Sequence, residues 1–150
     1  MPDDANRKPE QRGGDEATAD DAARLPPVVG IGASAGGIEA LSHFFDAMPS
    51  DAGLVFVVVL HLDPTRESQL SAILALHTAM PVIEIEDGMR VLPDHVYVIA
   101  PNFDLTLQNG ILRLTEPAQP RGHRHPVDVL FRSLAEQRRE RAIAVVLSGT

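Results

Sequence analysis

The chain has 150 residues, 44% of them hydrophobic, which is enough to build one core and leaves little room for a second domain. It contains no cysteine, so disulfides, thiolate metal sites and a cysteine nucleophile are all excluded. A formal net charge of −8 and a low aromatic content of 4% argue against a nucleic acid partner.

The N-terminal segment, residues 1–26, is rich in charge, Gly, Pro and Ala and has almost no large apolar side chains. Such a segment cannot bury enough surface to offset its ordering entropy, so we expect a disordered acidic tail. It does not resemble a signal peptide, and the longest apolar run, "GLVFVVVL", is too short to span a bilayer. We therefore expect a cytoplasmic protein without membrane insertion, folded over residues 27–150.

The first part of the folded region predicts a strand, a helix and a second strand. The apolar run at residues 28–33 is typical of a strand that is covered on both faces. In "GGIEALSHFFDAMP" apolar residues recur at helical spacing until Pro49. Residues 54–61, "LVFVVVLH", predict a second buried strand, so a right-handed crossover should join two parallel neighbours.

The next segment, "DPTRESQLSAILALHTAMP", predicts a helix with Asp63 as its N-cap and Pro64 as its first residue. His77 falls on the apolar face of this helix, where we expect it to be a packing residue rather than a ligand. A third strand is predicted at residues 82–86.

From residue 89 to 116 the pattern changes to short alternating runs, "VYVIAP" and then "LTLQNGILRLTE". We interpret this stretch as an antiparallel excursion, with a hairpin at Asn109-Gly110. A helix is predicted in "PVDVLFRSLAEQRRER" and a last buried strand at residues 142–150. The predicted fold is a doubly wound, Rossmann-like α/β domain with a mainly parallel sheet. It is incomplete at its C-terminal end, because a buried strand is normally followed by a covering helix.

The glycine-rich loop after the first strand is the first candidate site. Gly30 and Gly32 fit the dinucleotide template G-x-G-x-x-G, but the third position falls on Ala35. Residues 32–36, "GASAG", fit G-x-S-x-G at every position and lie where a strand turns into a helix, which would expose the Ser34 hydroxyl. The loop alone leaves three interpretations open, namely a nucleophile, a phosphate site and a plain tight turn.

A histidine at the end of the neighbouring strand favours the nucleophile. His61 ends the second predicted strand, and the carboxyl ends of parallel strands meet at the edge where open α/β sheets bind ligands. A serine nucleophile needs a base at that edge, and His61 would provide it. By itself His61 would be a polar strand terminus, but beside Ser34 we interpret it as the base.

The other histidines give no convincing metal set, and we predict neither a metal nor a cofactor. His43 and His95 occupy surface or turn positions. His123 and His125 lie in a loop, "RGHRHP", and would bind a metal only if further ligands converged on them. We expect this loop, with His123 and Arg124 as its candidate residues, to face the substrate.

An acid that could orient His61 is not evident in the sequence. Asp63 is explained as a helix cap, and Asp128 opens a helix, where an acidic residue is favoured in any case. Asp87 and Asp104 are expected in turns. We therefore expect the acid just beyond Thr150, at the carboxyl end of the last strand.

Five ordered segments resemble the chemotaxis protein-glutamate methylesterases of the CheB type and together cover about residues 27–150. They are "VVGIGASAGGIEAL", "VVVLHLDP", "EDGMRVLPDHVYVIAPN", "HRHPVDVLFRSLA" and "AIAVVLSGT". The resemblance implies a doubly wound α/β catalytic domain with a Ser-His-Asp triad. Ser34 would be the nucleophile and His61 the base, while the backbone N–H groups of Ala35 and Thr150 would bind the oxyanion.

The resemblance also implies a substrate and partners. The substrate would be the methylated cytoplasmic region of a chemoreceptor, with deamidation of receptor glutamines as a second activity. Position 35, often Thr in the family, is Ala here, a change that leaves the backbone N–H in place. Members of the family usually carry an N-terminal receiver domain, whereas this sequence has a short tail before its first predicted strand. We therefore expect it to resemble the opening module of fusions with a methyltransferase, which would be a fused or separate partner. Residues 1–150 alone should be nearly inactive without the family's aspartate.

Two alternatives of other classes stay open at this point. A Rossmann-type nucleotide-binding domain would use the same loop for a pyrophosphate and an acid after the second strand for the ribose. A non-catalytic signalling module would keep the fold without turnover.

Overall fold

The structure, a computed structural model, describes residues 25–61, 69–100, 102–120 and 122–148. Within these ranges the chain forms seven strands and three helices. The strands are β1 (Val28–Ser34), β2 (Val55–His61), β3 (Val82–Glu84), β4 (His95–Val98), β5 (Asp104–Gln108), β6 (Ile111–Thr115) and β7 (Ala142–Leu147). The helices are α1 (Ile38–Ala47), α2 (Leu70–Ala75) and α3 (Pro126–Arg138), and two 3-10 turns lie at Ala35–Gly37 and Arg139–Arg141.

Five of the strands form one parallel sheet in the order β3-β4-β2-β1-β7. The two central strands, β1 and β2, are buried along their whole length except for their last residues, Ser34 and His61. This explains their continuous apolar sequences, because a parallel strand covered on both faces has no side that contacts water. The doubly wound α/β fold predicted from the sequence is confirmed.

Alternate residues of the central strands supply two separate cores, one on each face of the sheet. On one face Val57 and Val59 belong to a buried cluster with two residues of α3 and three of the β5–β6 hairpin, namely Leu130, Leu134, Leu105, Leu107 and Leu112. On the other face, Ile31 and Phe56 pack against α1 and α2. The molecule therefore has three layers, and the face covered by α3 is called the α3 face below.

The β5–β6 hairpin forms a separate two-stranded antiparallel sheet. Its turn contains Asn109 at φ 52° and Gly110 at φ 78°, both in the left-handed region that the Asn-Gly pair tolerates. The predicted hairpin is thus confirmed. Ser133 of α3 joins the hairpin to the helix, because its Oγ accepts a hydrogen bond from Leu107 N at 2.8 Å and donates one to Leu107 O at 3.1 Å.

Four predictions from the sequence were wrong in part. The last strand was expected to be buried, but no residue of β7 is buried in the structure. The run "VYVIAP" is not part of the antiparallel excursion, because β4 pairs in parallel with both β2 and β3. Asp104 lies at the start of β5 rather than in a turn. His77 is half-buried, and its Nδ1 lies 2.9 Å from Asp46 Oδ1, so it makes a hydrogen-bond contact with α1 instead of packing only among apolar groups.

The described part of the second helix begins at Leu70. The proposed cap at Asp63 and the first helical residue at Pro64 lie outside the described residues. In the described part of the chain, no helix is long and apolar enough to cross a membrane.

The order of the strands creates a topological switch point at β1. From β1 the chain moves through β2 and β4 to one side of the sheet, and it then returns to place β7 on the opposite side of β1. Open α/β sheets bind their ligands at the carboxyl ends of the strands beside such a point. Ser34 is the last residue of the strand at which the order reverses.

Candidate active site

Ser34 occupies an exposed position at the carboxyl end of β1. Its backbone is extended, with φ −84° and ψ 171°, and its side chain makes no capping hydrogen bond to the 3-10 turn that follows. The chain therefore leaves the strand through a short 3-10 turn and not through a strained backbone at the serine itself. The sequence predicted an abrupt strand-to-helix turn, and the structure achieves it over residues 35–37.

His61 is the direct neighbour of Ser34 across the sheet. The two residues are register partners in the parallel β1–β2 pair, and adjacent strands lie about 4.8 Å apart. Residues paired in this way project to the same face, and the alternation along both strands assigns that face to α3. Ser34 and His61 thus emerge side by side, exposed, on the α3 face of the switch point.

The glycines of the loop make room for α3 next to the serine. A Cβ atom built on Gly30 would lie 2.5 Å from Leu134 Cδ1, and one on Gly32 would lie 2.4 Å from Val127 Cγ1. Both distances are too short for carbon atoms, so only glycine permits this contact between helix and strand. Since Gly32 lies two residues before Ser34 on the same face, the first turn of α3 ends up next to the serine.

The 3-10 turn lies against the end of β7. A Cβ atom on Gly37 would lie 2.9 Å from the carbonyl oxygen of Leu147, and Leu147 is the register partner of Ala33. The segment after β7 therefore begins beside the turn that holds Ala35. The N–H groups in the first turn of a helix have no intrahelical acceptor, so the N–H of Ala35 can serve an anion. Thr150, the second predicted oxyanion donor, lies outside the described residues.

The predicted substrate loop immediately precedes α3. His123 is exposed, Arg124 is half-buried, and Arg124 donates from Nε to the carbonyl oxygen of Gln119 at 3.0 Å. His125 is the N-cap residue of α3 without a side-chain capping bond, and Pro126 occupies the first helical position. Because α3 starts beside the end of β1, this loop lies at the same edge and on the same face as Ser34.

In the ranges that the structure describes, no acidic side chain is paired with His61, and the acid expected beyond Thr150 lies outside the given sequence. The acid–base contacts found there join His77 to Asp46 and Arg113 to Asp87, and neither involves His61. Asp128 lies in the first turn of α3, as predicted, and Asp87 accepts a hydrogen bond from the backbone N–H of Leu114.

Sequence reasoning missed the contribution of α3 to the site. Val127 packs on Gly32, and this contact brings together two segments that are almost 100 residues apart in the chain. The available signal was the pair of glycines at positions 30 and 32, which lie on one face of a strand and indicate the close approach of another element.

Fold and site together define a doubly wound α/β protein with a serine and a histidine side by side at its switch point. Comparison with known proteins agrees with this class. The family model described as CheB methylesterase matches residues 29–150. The chain therefore belongs to the CheB methylesterase family.

Individual relatives give the same result over part of their length. The protein-glutamate methylesterase/protein-glutamine glutaminase 1 of Geobacter metallireducens is 34% identical over 126 residues, which cover 81% of this chain and 34% of the relative. The corresponding protein 2 of Xanthomonas oryzae pv. oryzae is 36% identical, with coverage of 81% and 35%. This chain thus spans about a third of the length of these relatives.

A solved structure resembles the fold described above. The crystal structure of the Thermotoga maritima CheB methylesterase catalytic domain superposes with a TM-score of 0.72 at 30% sequence identity. The match covers 81% of this chain and 66% of the Thermotoga chain.

Proposed function

We propose that this chain carries the nucleophile and the base of a protein-glutamate methylesterase, which acts in the cytoplasm on methylated chemoreceptors. The observation that supports the proposal most is the register pairing of Ser34 with His61 at the switch point. Glutamine deamidation would be a second activity of the same site, since a primary amide and a methyl ester are both acyl compounds. A fused or separate methyltransferase would supply the esterified substrate.

The mechanism begins when His61 takes the proton of the Ser34 hydroxyl and the oxygen attacks the ester carbonyl carbon. The bond between Oγ and that carbon forms, and the negative charge on the carbonyl oxygen is held by backbone N–H groups, with Ala35 as one donor and Thr150 as the proposed second. The bond from carbon to methoxy oxygen then breaks, and His61 returns the proton to release methanol. Water, deprotonated by His61, then attacks the acyl carbon, the bond from that carbon to Ser34 Oγ breaks, and His61 returns the proton to Oγ. The acid product ionises to the carboxylate.

The position of the glycines argues against the nucleotide-binding alternative. A pyrophosphate needs glycines whose Cα atoms the ligand can approach closely. Here the space over Gly30 and Gly32 is filled by Leu134 and Val127 of α3. These glycines serve helix packing, and this supports the hydrolase.

The test uses covalent labelling, because labelling reports the nucleophile without full turnover. We expect a fluorophosphonate to modify the 150-residue chain once, at Ser34, as read by peptide mass spectrometry. Ser34→Ala should abolish the modification, and His61→Gln should slow it by at least about tenfold, because a positioned base contributes about 10²–10⁴-fold to such reactions. The matched control is Ser50→Ala, which removes another exposed serine and should leave the rate unchanged.

Two results would contradict the proposal. One is a label found on other serines at the same rate, and the other is a labelling rate that is indifferent to His61→Gln. Either result would favour a non-catalytic signalling module. Tight binding of a dinucleotide that Ser34→Ala does not affect would favour the nucleotide-binding domain.

A further inference from the structure

The row formed by His61 and Ser34 at the carboxyl edge of the sheet continues onto a third strand. In β7, Leu147 is the register partner of Ala33, and Ser148 follows it directly. One step further along both strands, Ser148 comes level with Ser34 on the side away from His61. Since adjacent strands lie about 4.8 Å apart, Ser34 has a histidine on one side and a second serine on the other.

The alternation along β7 shows to which face of the sheet Ser148 belongs. Val145 and Leu147 pack on the face covered by α1 and α2. Successive residues of an extended chain point to opposite faces, so Ser148 belongs to the α3 face, as Ser34 and His61 do. Ser148 is exposed, and no hydrogen bond among the described residues involves its hydroxyl. This hydroxyl is therefore available to a substrate bound at Ser34.

The proposed reaction distinguishes the two sides of Ser34. His61 must return its proton to the leaving oxygen, so the leaving group has to face β2. The turn that begins at Ala35 lies against the end of β7, where a Cβ atom on Gly37 would be 2.9 Å from the carbonyl oxygen of Leu147. The N–H groups at the start of this turn have no intrahelical acceptor. The carbonyl oxygen of the substrate would therefore find its hydrogen-bond donors on the β7 side.

We propose that Ser148 is a further catalytic residue, whose hydroxyl donates a hydrogen bond to the carbonyl oxygen of the bound ester or amide. The bond strengthens as Ser34 Oγ adds to the carbonyl carbon, because the oxygen then gains negative charge. A donor whose bond is strongest at that point accelerates the reaction and does not merely bind the substrate. The proposal rests on the proposed function, because it requires Ser34 as the nucleophile.

Covalent labelling of the whole 150-residue chain tests the proposal without requiring turnover. The probe is an alkyl fluorophosphonate, which presents a phosphoryl oxygen in place of the carbonyl oxygen. Ser34 Oγ forms a bond to phosphorus, the bond from phosphorus to fluorine breaks, and negative charge develops on the phosphoryl oxygen in between. Rates measured over a range of probe concentrations separate the affinity for the probe from the labelling rate at saturation.

Ser148→Thr and Ser148→Val form a matched pair, because threonine and valine have nearly the same shape and only threonine carries a hydroxyl. At saturation, Ser148→Val should label Ser34 at least about tenfold more slowly than Ser148→Thr, since loss of one oxyanion donor commonly slows a reaction by about 10²–10³-fold. The affinities of the two variants for the probe should agree within about threefold, because the donor acts mainly on the charge that develops after binding.

The control for the substitution itself is Thr115→Val, which removes a hydroxyl from an exposed residue at the end of β6. It should change neither the affinity for the probe nor the labelling rate. Circular dichroism verifies that each variant is folded.

Three results would overturn the proposal: equal saturated rates in Ser148→Val and Ser148→Thr, a difference in affinity alone, or an equal slowing by Thr115→Val. A failure of the proposed function is distinguishable, because it appears in the unaltered chain as labelling of Ser34 that is absent or indifferent to His61→Gln. Such a failure overturns both proposals. If the unaltered chain passes that test and the matched pair shows no difference, only the role of Ser148 is overturned.

Discussion

At the scale of single residues, the glycine loop shows how one motif can serve two purposes. Ser34 lies at the end of a row that begins with Gly30 and Gly32, and all three face α3. The absence of side chains at the two glycines lets α3 approach the strand, and this approach puts Val127, in the first turn of the helix, over Gly32 two residues before the serine. The small residues thus shape the site through packing, in addition to the tight turn that the sequence suggested.

Gly32→Ala should therefore lower the free energy of unfolding more than an ordinary surface substitution does. The new methyl group would lie 2.4 and 2.9 Å from the two γ-carbons of Val127, whose β-branched side chain cannot rotate away cheaply. We expect a loss of about 1–3 kcal/mol in the free energy of unfolding, measured by urea denaturation. The double variant Gly32→Ala with Val127→Ala should recover most of this loss; if it is no more stable than Gly32→Ala alone, the contact with α3 is not the reason for the glycine.

At the scale of secondary-structure elements, the hairpin is attached to α3 through one serine. Leu112 of β6 accepts a hydrogen bond from Gly88 N and donates one to Met89 O, so its backbone groups point away from β5. Its partner across the hairpin, Leu107, therefore directs its own N–H and C=O away from β6 and toward α3. Ser133 Oγ satisfies both groups. The hairpin is therefore tied to α3 by one buried hydroxyl that satisfies two backbone groups.

Ser133→Ala should destabilise the fold by about 1–3 kcal/mol, because it leaves a buried N–H and a buried C=O without partners. The matched control is Ser42→Ala on α1. Ser42 is also buried, but its Oγ donates only to the carbonyl oxygen of Ile38 four residues earlier, which the helix already satisfies. We expect Ser42→Ala to change the free energy of unfolding by less than about 0.5 kcal/mol, and equal losses in the two variants would refute this account.

The same elements show what the sequence could and could not predict. Local signals sufficed for β1, β2 and the Asn109-Gly110 turn, because an apolar run or a dipeptide determines each of them. Local sequence does not determine which strand lies next to another in a sheet. For that reason β4 was predicted to be antiparallel, although it pairs in parallel with β2 and β3. Only residues 85–94 connect β3 to β4, and they contain no helix. This connection is shorter than the dozen or more residues that usually join parallel strands.

For the candidate site, the sequence predicted which strand ends meet but not what packs against them. The pairing of Ser34 with His61 follows from two adjacent parallel strands of equal length. The approach of α3 depends on a contact between Gly32 and Val127, for which the sequence shows only two glycines and no partner.

At the scale of the whole molecule, the sheet is well covered on one side of β1 and poorly covered on the other. In the described part of the chain β7 pairs only with β1, and none of its residues is fully buried. Val146 is 71% exposed and Ile143 is 45% exposed. An apolar edge strand with free backbone groups is a template for pairing with another chain.

We therefore expect the 150-residue chain to self-associate through β7, and Val146→Lys to weaken that association, because a charge at an edge strand opposes strand pairing. Sedimentation velocity over a hundredfold range of concentration measures the effect, and the variant should remain monomeric to at least about tenfold higher concentration. The matched control is Leu76→Lys, which places the same charge on a side chain that is 84% exposed but lies after α2, away from the sheet edge. If Leu76→Lys suppresses self-association as strongly as Val146→Lys, then net charge and not the edge of β7 controls it.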